Sequence, residues 1–158
     1  MNSNQRQEKR RADTRGVVAQ IARIREQANL LIEEELRGSS MTGLLPAHGS
    51  VLNYLFQQRG PVAIKEVVKR VGRVKSTVTG MLNTLEQHGY VHKTASDTDR
   101  RVILVELTKK GRALKPNFDR ISERLIRRLY GSMSQQDRET LARLLSELEP
   151  NLRKAQPT

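Results

Sequence analysis

The sequence predicts a mainly α-helical protein with one small antiparallel β hairpin. Three observations favour this class. Apolar residues recur at steps of three and four along most of the chain, only 3% of residues are aromatic while 29% are charged, and one strongly β-prone run occupies residues 102–107. Amphipathic helices produce the first pattern, and an aromatic-rich β sandwich or barrel does not fit the second. With 158 residues, the chain is long enough to bury a core of its own.

The first predicted helix covers residues 16–37. Residues 1–15 before it are polar, dense in Gln and Arg and without an apolar period, so we expect a flexible basic arm there. Gly38 then ends the helix. The apolar stripe that defines the helix consists of Val17, Ile21, Ile24, Ala28 and Leu31.

Three further helices are predicted before the hairpin. Pro46 suits a first helical turn, and the second helix should close near Arg59 and Gly60. A short third helix over residues 64–71 follows Pro61. After Gly72 and Arg73, a longer fourth helix should run to the pair at positions 88 and 89. The apolar residues of the third and fourth helices keep to one side: Ile64, Val67, Val68, Val71, Val78, Met81, Leu82 and Leu85.

Two strands around a charged turn predict the hairpin. They lie at residues 90–92 and 102–107, with a polar turn at 94–100. Thr108 resembles a helix N-cap, and the helix that follows should kink or restart at Pro116 because proline lacks a donor. A last helix should open at a pair that resembles a capping box, Ser134 and Asp137. In total we expect about six helices and a two- or three-stranded sheet.

Positive charge is concentrated in the middle of the chain. The net charge is +12, and residues 59–115 hold 13 basic against 5 acidic side chains. Such an excess attracts polyanions such as nucleic acid or an acidic membrane surface, and the charge alone does not choose between them. This basic segment contains, in order, a short helix, a turn, a longer helix and a hairpin. That order is typical of a winged helix-turn-helix. Hydroxyls and a cation open the fourth helix, at Lys75, Ser76 and Thr77, where such motifs enter a major groove.

Several classes of protein do not fit the sequence. The chain has no cysteine, so disulfides and thiol redox switches are excluded. No apolar run is long enough for a membrane span, and the polar start lacks a signal-peptide core, so we expect a cytoplasmic protein. We find no phosphate loop and no nucleophile beside a base, so we expect no enzyme. His88 and His92 straddle a helix end, which makes them a poor metal pair, and we expect neither metal nor cofactor.

From position 55 to position 111, the sequence resembles the MarR family of winged helix-turn-helix transcriptional regulators. Four motifs in register carry the resemblance: Ser76-Thr77-Val78-Thr79, Leu85-Glu86-Gln87-His88-Gly89, Asp97-Thr98-Asp99-Arg100-Arg101 and Leu107-Thr108-Lys109-Lys110-Gly111. The likeness extends more loosely over about residues 17–150. It implies a DNA-binding homodimer and four segments: the arm 1–15, a dimerisation helix and loop 16–43, a DNA-binding lobe 44–111 and C-terminal dimerisation helices 112–158.

The resemblance also implies roles for individual residues. The recognition helix would offer Lys75, Ser76, Thr77, Thr79 and Asn83 to the DNA. In the wing, Arg101 would enter a minor groove, Asp99 would brace its guanidinium and Arg100 would add charge nearby. An ordinary ion pair at a hairpin tip is the plainer interpretation of these wing residues.

Some positions depart from the family pattern. Gly80 removes one side chain from the recognition helix, and Val74 stands where a polar cap is usual. The family also carries a crevice for a small anionic or aromatic effector. For that pocket the candidates are His48, Tyr54, Arg15 and Arg23, although a lone histidine in a first helical turn is more often a surface or capping residue. Since cysteine is absent, the peroxide-sensing branch of the family does not fit.

The function expected from all this is sequence-specific binding to double-stranded DNA. We expect a ligand-responsive repressor that binds a pseudo-palindromic operator as a homodimer. The alternative is a basic architectural protein that coats DNA without a specific operator.

Overall fold

The predicted fold class is confirmed. The computed structural model of the chain describes residues 14–39 and 41–153, so the expected basic arm lies outside the described residues except for its last two. The described part contains six helices of at least eight residues, a single-turn helix and a three-stranded antiparallel sheet. The elements in chain order are α1 (Val17–Arg37), α2 (Gly49–Phe56), β1 (Val62–Ala63), α3 (Ile64–Val71), α4 (Lys75–Gln87), β2 (Val91–Ala95), β3 (Ile103–Leu107), α5 (Lys109–Arg112), α6 (Lys115–Tyr130) and α7 (Gln135–Arg153).

Glycine marks most helix ends where the sequence predicts them. Helix α3 ends at Gly72, whose φ of 67° lies in the left-handed region, where a residue with a Cβ is strained. Helix α2 ends at Phe56, before the predicted end near Arg59. The backbone N–H groups of Gln57 and Gln58 bond to carbonyls three residues back, at Tyr54 and Leu55. Such bonds tighten the last turn and stop the α-helical pattern early.

The sheet has the strand order β1, β3, β2. Strand β1 pairs Val62 with Val105 of β3, and β2 pairs Ala95 with Ile103 at the other edge. Strand β2 is therefore longer than predicted, because residues 94 and 95 belong to the ladder instead of the turn. The turn of the hairpin shifts from the predicted residues 94–100 to residues 96–102, and this segment forms the tip of the wing.

The chain breaks between α5 and α6, as Pro116 predicts. Thr108 caps α5: its hydroxyl accepts the N–H of Gly111 at 3.0 Å and donates to the carbonyl of Gly89 at 2.6 Å. The cap thus joins the first turn of α5 to the chain that leads into β2.

The described chain divides into two compact units, one that ends at Ile121 and one that begins at Ser122. The first unit holds the core, in which α2, α3, α4 and the sheet bury apolar side chains. Burial of each such side chain contributes about 1.5–3 kcal/mol. The most deeply buried are Tyr90, Leu52, Leu82, Leu85, Val51, Val67, Val78 and Val105.

The second unit contains the end of α6 and all of α7. Gly131 ends α6 with a φ of +50°, and the Ser134 hydroxyl accepts the N–H of Asp137 at 3.1 Å. The guanidinium of Arg138 lies over the ring of Tyr130, 5.2 Å from its centre. Within the described residues, none of this unit is buried, and α7 exposes a stripe of leucines: Leu141, Leu144, Leu145, Leu148 and Leu152.

Over the described residues, no helix has both the length and the apolar character that a membrane crossing requires.

Candidate nucleic-acid interface

Helix α4 presents a polar first turn and an apolar opposite side. Lys75, Ser76 and Thr77 are exposed, and Thr79 is half-buried. The apolar residues of the same helix face the core, which fixes its rotation: Val78, Met81, Leu82 and Leu85. The chemistry that the sequence assigns to this helix therefore lies on its outer side.

A tight turn sets the start of α4. Gly72 adopts the left-handed conformation, and Val74 is extended with φ −62° and ψ 147°. The carbonyl of Val74 accepts the N–H of Val78 at 3.2 Å, which begins the helix. The turn brings α3 and α4 together within four residues of each other, as a helix-turn-helix requires.

The wing tip is organised by the carboxylate of Asp99. This carboxylate accepts the backbone N–H of Arg101 at 3.0 Å, and the Asp99 carbonyl accepts the N–H of Val102 at 2.8 Å. The expectation that Asp99 braces the Arg101 guanidinium is not met here. An aspartate readily bonds to the backbone two residues on, so the carboxylate fixes the loop, and the Arg101 side chain is exposed.

One groove joins the recognition helix to the wing. Lys75 and Thr79 of α4 and Arg101 of the wing line a groove of about 420 Å³, and Lys65 at the start of α3 lines it too. Three cations from three separate elements therefore surround one cleft, while apolar groups, among them Val68, form much of its wall. This arrangement favours a polyanion that reaches both elements at once.

An ionic brace holds the wing strand against the recognition helix. The Lys93 ammonium of β2 lies 2.8 Å from a Glu86 carboxylate oxygen and donates to Asn83 at 2.6 Å. The Lys93 backbone N–H donates to the same carboxylate at 3.1 Å. The hydrogen bond from the Lys93 side chain lowers the pKa of Glu86, so the carboxylate stays ionised at neutral pH.

The brace changes the role of one predicted site residue. The side-chain oxygen of Asn83 accepts the Lys93 proton, so this end of the amide serves the joint between α4 and β2. Lys93 and Glu86 are members of the site that the sequence does not predict. The only available signal was Glu86 within the Leu-Glu-x-x-Gly motif, where nothing in the sequence reveals its partner.

The four predicted effector residues lie on different elements. Arg15 belongs to the 3-10 turn before α1, and Arg23 lines a shallow groove formed by residues of α1. Tyr54 of α2 is half-buried against the core. His48 is only 3% exposed, and its Nδ1 accepts the Leu45 N–H at 3.1 Å.

His48 thus sits inside the protein. Burial and, to a lesser extent, the nearby His88 lower the pKa of His48, which keeps the imidazole neutral. His88 itself lies against Gly43, whose φ of +75° and missing Cβ leave room for the ring.

A helix-turn-helix whose second helix shares a cationic groove with a β hairpin defines a winged helix-turn-helix protein, a class that binds DNA. Known proteins with similar sequences belong to the same class. Residues 48–103 match the sequence model of the MarR family. The uncharacterized HTH-type transcriptional regulator YwhA of Bacillus subtilis is 25% identical over 100 residues, which are 63% of this chain and 71% of YwhA.

Two solved structures share the fold. FabT of Streptococcus pneumoniae, in complex with DNA, is 25% identical with a TM-score of 0.73, covering 91% of this chain and all of FabT. BpsR of Bordetella bronchiseptica is 22% identical with a TM-score of 0.74, covering 89% and 97% of the two chains. Over residues 48–103, which hold the helix-turn-helix and the start of the wing, the chain therefore matches the MarR family of winged helix-turn-helix transcriptional regulators.

Proposed function

We propose that this protein is a ligand-responsive transcriptional repressor that binds a specific double-stranded DNA operator as a homodimer in the cytoplasm. One observation carries the proposal: Lys75 and Thr79 of α4 and Arg101 of the wing line the same cationic groove. The role is binding without catalysis. The solved structure of FabT in complex with DNA supports it by similarity.

In this proposal, α4 enters a major groove while the wing reaches a flanking minor groove. Lys75 can contact a phosphate or a guanine edge, and the short hydroxyls of Ser76 and Thr77 let the backbone come close. Arg101 enters the minor groove, where the potential is most negative when the groove is narrow. Arg100 supplies charge to the adjacent backbone.

Exposed apolar stripes support the homodimer. On α1, Ile21 and Ile24 of the predicted stripe are 42% and 47% exposed, and Val18 beside them is 77% exposed. On α7, the leucine stripe described above is exposed along the whole helix. A second copy of the chain would cover these faces, and two-fold symmetry would place the recognition helices on half-sites about 10 bp apart.

The decisive experiment separates specific from general DNA binding. A preferred duplex is selected from a random library, and its affinity is compared with that of a shuffled duplex by fluorescence anisotropy at several salt concentrations. We expect at least a 10³-fold preference, as specific regulators show. A preference near one would instead favour the architectural alternative. The affinity should fall with salt at a log-log slope of about −0.9 per phosphate neutralised, and a flat profile would contradict the electrostatic basis.

A pair of arginine variants tests the wing. Arg101→Ala should lower the affinity by roughly tenfold or more, because a charge-assisted contact is lost. Arg112→Ala is the matched control, because Arg112 is also exposed and the substitution removes the same charge. Arg112 lies beyond the end of β3, at the end of the hairpin opposite the wing tip. Equal effects of the two variants would refute a specific role for Arg101.

Control by a small ligand is the remaining part of the proposal. DNA binding by BpsR is regulated by 6-hydroxynicotinic acid, which supports a small anionic or aromatic effector here as well. We place the effector near Tyr54, Arg15 and Arg23, while His48 becomes accessible only if the Leu45 loop moves. We expect some members of a panel of aromatic carboxylates to release the selected duplex from the protein. In the Arg23→Gln variant, the same compounds should release less DNA. No release by any member would speak against this class of effector.

A further inference from the structure

Val74 is an exposed apolar side chain between two charged neighbours in the chain. It is 69% exposed and stands immediately before α4, between Arg73 and Lys75, which are exposed too. Among the described residues 46–102, it is the only large hydrophobic residue that is exposed. The other exposed large hydrophobic residues lie on α1, at Leu45, on β3, and on α6 and α7.

The fold gains little from valine at this position. Val74 is the N-cap of α4, and no side chain caps the helix there. Serine, threonine, aspartate or asparagine would accept a backbone N–H of the first turn and stabilise the helix by about 1 kcal/mol. The backbone of Val74 begins the helix through its bond with Val78, and any residue could supply that carbonyl. Most of the Val74 side chain is exposed, so burial in the fold does not account for its apolar character.

We infer that Val74 contacts the C5-methyl group of a thymine in each half-site, and that it selects thymine at that position. The inference rests on the proposed function, in which the first turn of α4 faces a major groove. Within that groove, thymine is the base that offers an apolar group, its C5-methyl, whereas cytosine offers a donor and no methyl. Lys75, Ser76 and Thr77 would place Val74 against the base edges beside them.

Uracil tests the contact one methyl at a time. In the selected duplex, each thymine is replaced singly by uracil, symmetrically in both half-sites, and the affinity is measured by anisotropy. For the wild-type protein, we expect one position where the replacement weakens binding by about fourfold per half-site, the effect of burying one methyl group. Val74→Ser should bind the thymine and uracil duplexes equally at that position, and Val74→Ile should keep the difference.

Leu45→Ser is the matched control. Leu45 is, like Val74, an exposed apolar residue at the N-cap of a helical turn, with 58% of its surface exposed, and it lies outside the recognition helix, the wing and the stripes on α1 and α7. This variant should therefore retain the uracil-sensitive position. Val74→Ser should fold normally, because serine is a better N-cap than valine. This can be checked by its thermal transition.

The other possible results would contradict either the contact of Val74 or the proposed function. If the uracil-sensitive position is the same in Val74→Ser, or if no position is sensitive, the inference about Val74 is wrong while the regulator remains. If the selection yields no preferred duplex at all, the proposed function fails and the inference fails with it.

Discussion

Gly111 of α5 packs against the backbone of Tyr90, just before β2, and replacing this glycine by alanine should destabilise the protein strongly. Gly111 is buried in α5. A Cβ there would overlap the backbone carbonyl oxygen of Tyr90 and lie only 2.9 Å from its carbon and 3.1 Å from a methyl group of Leu107. Backbone cannot rotate away as a flexible side chain can, so either α5 or the start of β2 must shift.

The magnitude follows from what such a shift breaks. The Tyr90 carbonyl accepts the Thr108 N–H at 3.0 Å, and the Thr108 hydroxyl joins Gly89 to Gly111. Loss of one or two of these hydrogen bonds costs about 1 kcal/mol each, and overpacking adds about 1–3 kcal/mol. We expect Gly111→Ala to lower the free energy of unfolding by about 3 kcal/mol.

The assay is urea unfolding followed by circular dichroism at one fixed protomer concentration, because the proposed homodimer would make stability depend on concentration. Gly80→Ala is the matched control. Gly80 lies within α4, a Cβ added there would meet nothing within 4 Å, and its backbone is helical, so alanine should stabilise the protein by about 1 kcal/mol or less. A Gly111→Ala protein within about 0.5 kcal/mol of wild type would refute the close approach of α5 to Tyr90.

Three further predictions concern titration, the brace and assembly. Burial lowers the pKa of His48 below its ordinary value of 6.5, so as the pH falls the unfolded chain binds a proton at this residue before the folded chain does. The free energy of unfolding should therefore fall below pH 6.5 by up to about 1.4 kcal/mol per pH unit. His48→Gln should make the fall shallower in urea titrations at pH 5 to 8, and an unchanged slope would exclude His48 as its source. Lys93→Met should change stability by at most about 1 kcal/mol yet lower DNA affinity several-fold with an unaltered salt slope, since Glu86 already neutralises this lysine. An altered slope would instead make Lys93 a phosphate contact. Leu145→Glu should halve the mass seen by light scattering if the α7 stripe joins two copies, and a persistent dimer would place the interface elsewhere.

Helices with local signals are those that the sequence predicts well. The third helix has the predicted bounds because Pro61 precedes it and Gly72 ends it in the left-handed conformation. The break near Pro116 follows from the missing backbone donor alone. Strand β1 has no such signal: two residues show no period, and Val62 becomes a strand residue only through its pairing with Val105, far along the chain.

The outward side of the recognition helix is predictable, while its partners are not. The apolar positions of α4 fix which residues face outward, so exposure of Lys75 and Thr77 follows from periodicity. The contact of Asn83 with Lys93 depends on how a strand crosses a helix, which the sequence does not contain. The same limit applies to Asp99. Its carboxylate could bind either the guanidinium or the backbone N–H of Arg101, and the sequence does not decide between the two.

The four motifs that carry the family resemblance divide into two kinds in this structure. Two of them, at residues 76–79 and 97–101, supply mainly outward groups that can meet DNA. The other two are structural: Glu86 secures Lys93, Gly89 ends the turn after α4 with a φ of +74°, and Thr108 binds the carbonyl of Gly89. Half of the family pattern therefore fixes where the wing stands relative to α4, a requirement that any operator imposes. At the start of α4, Val74 departs from the polar cap that is usual at this position, and the fold does not use its exposed side chain. We therefore expect Val74 to contribute to the discrimination between operators.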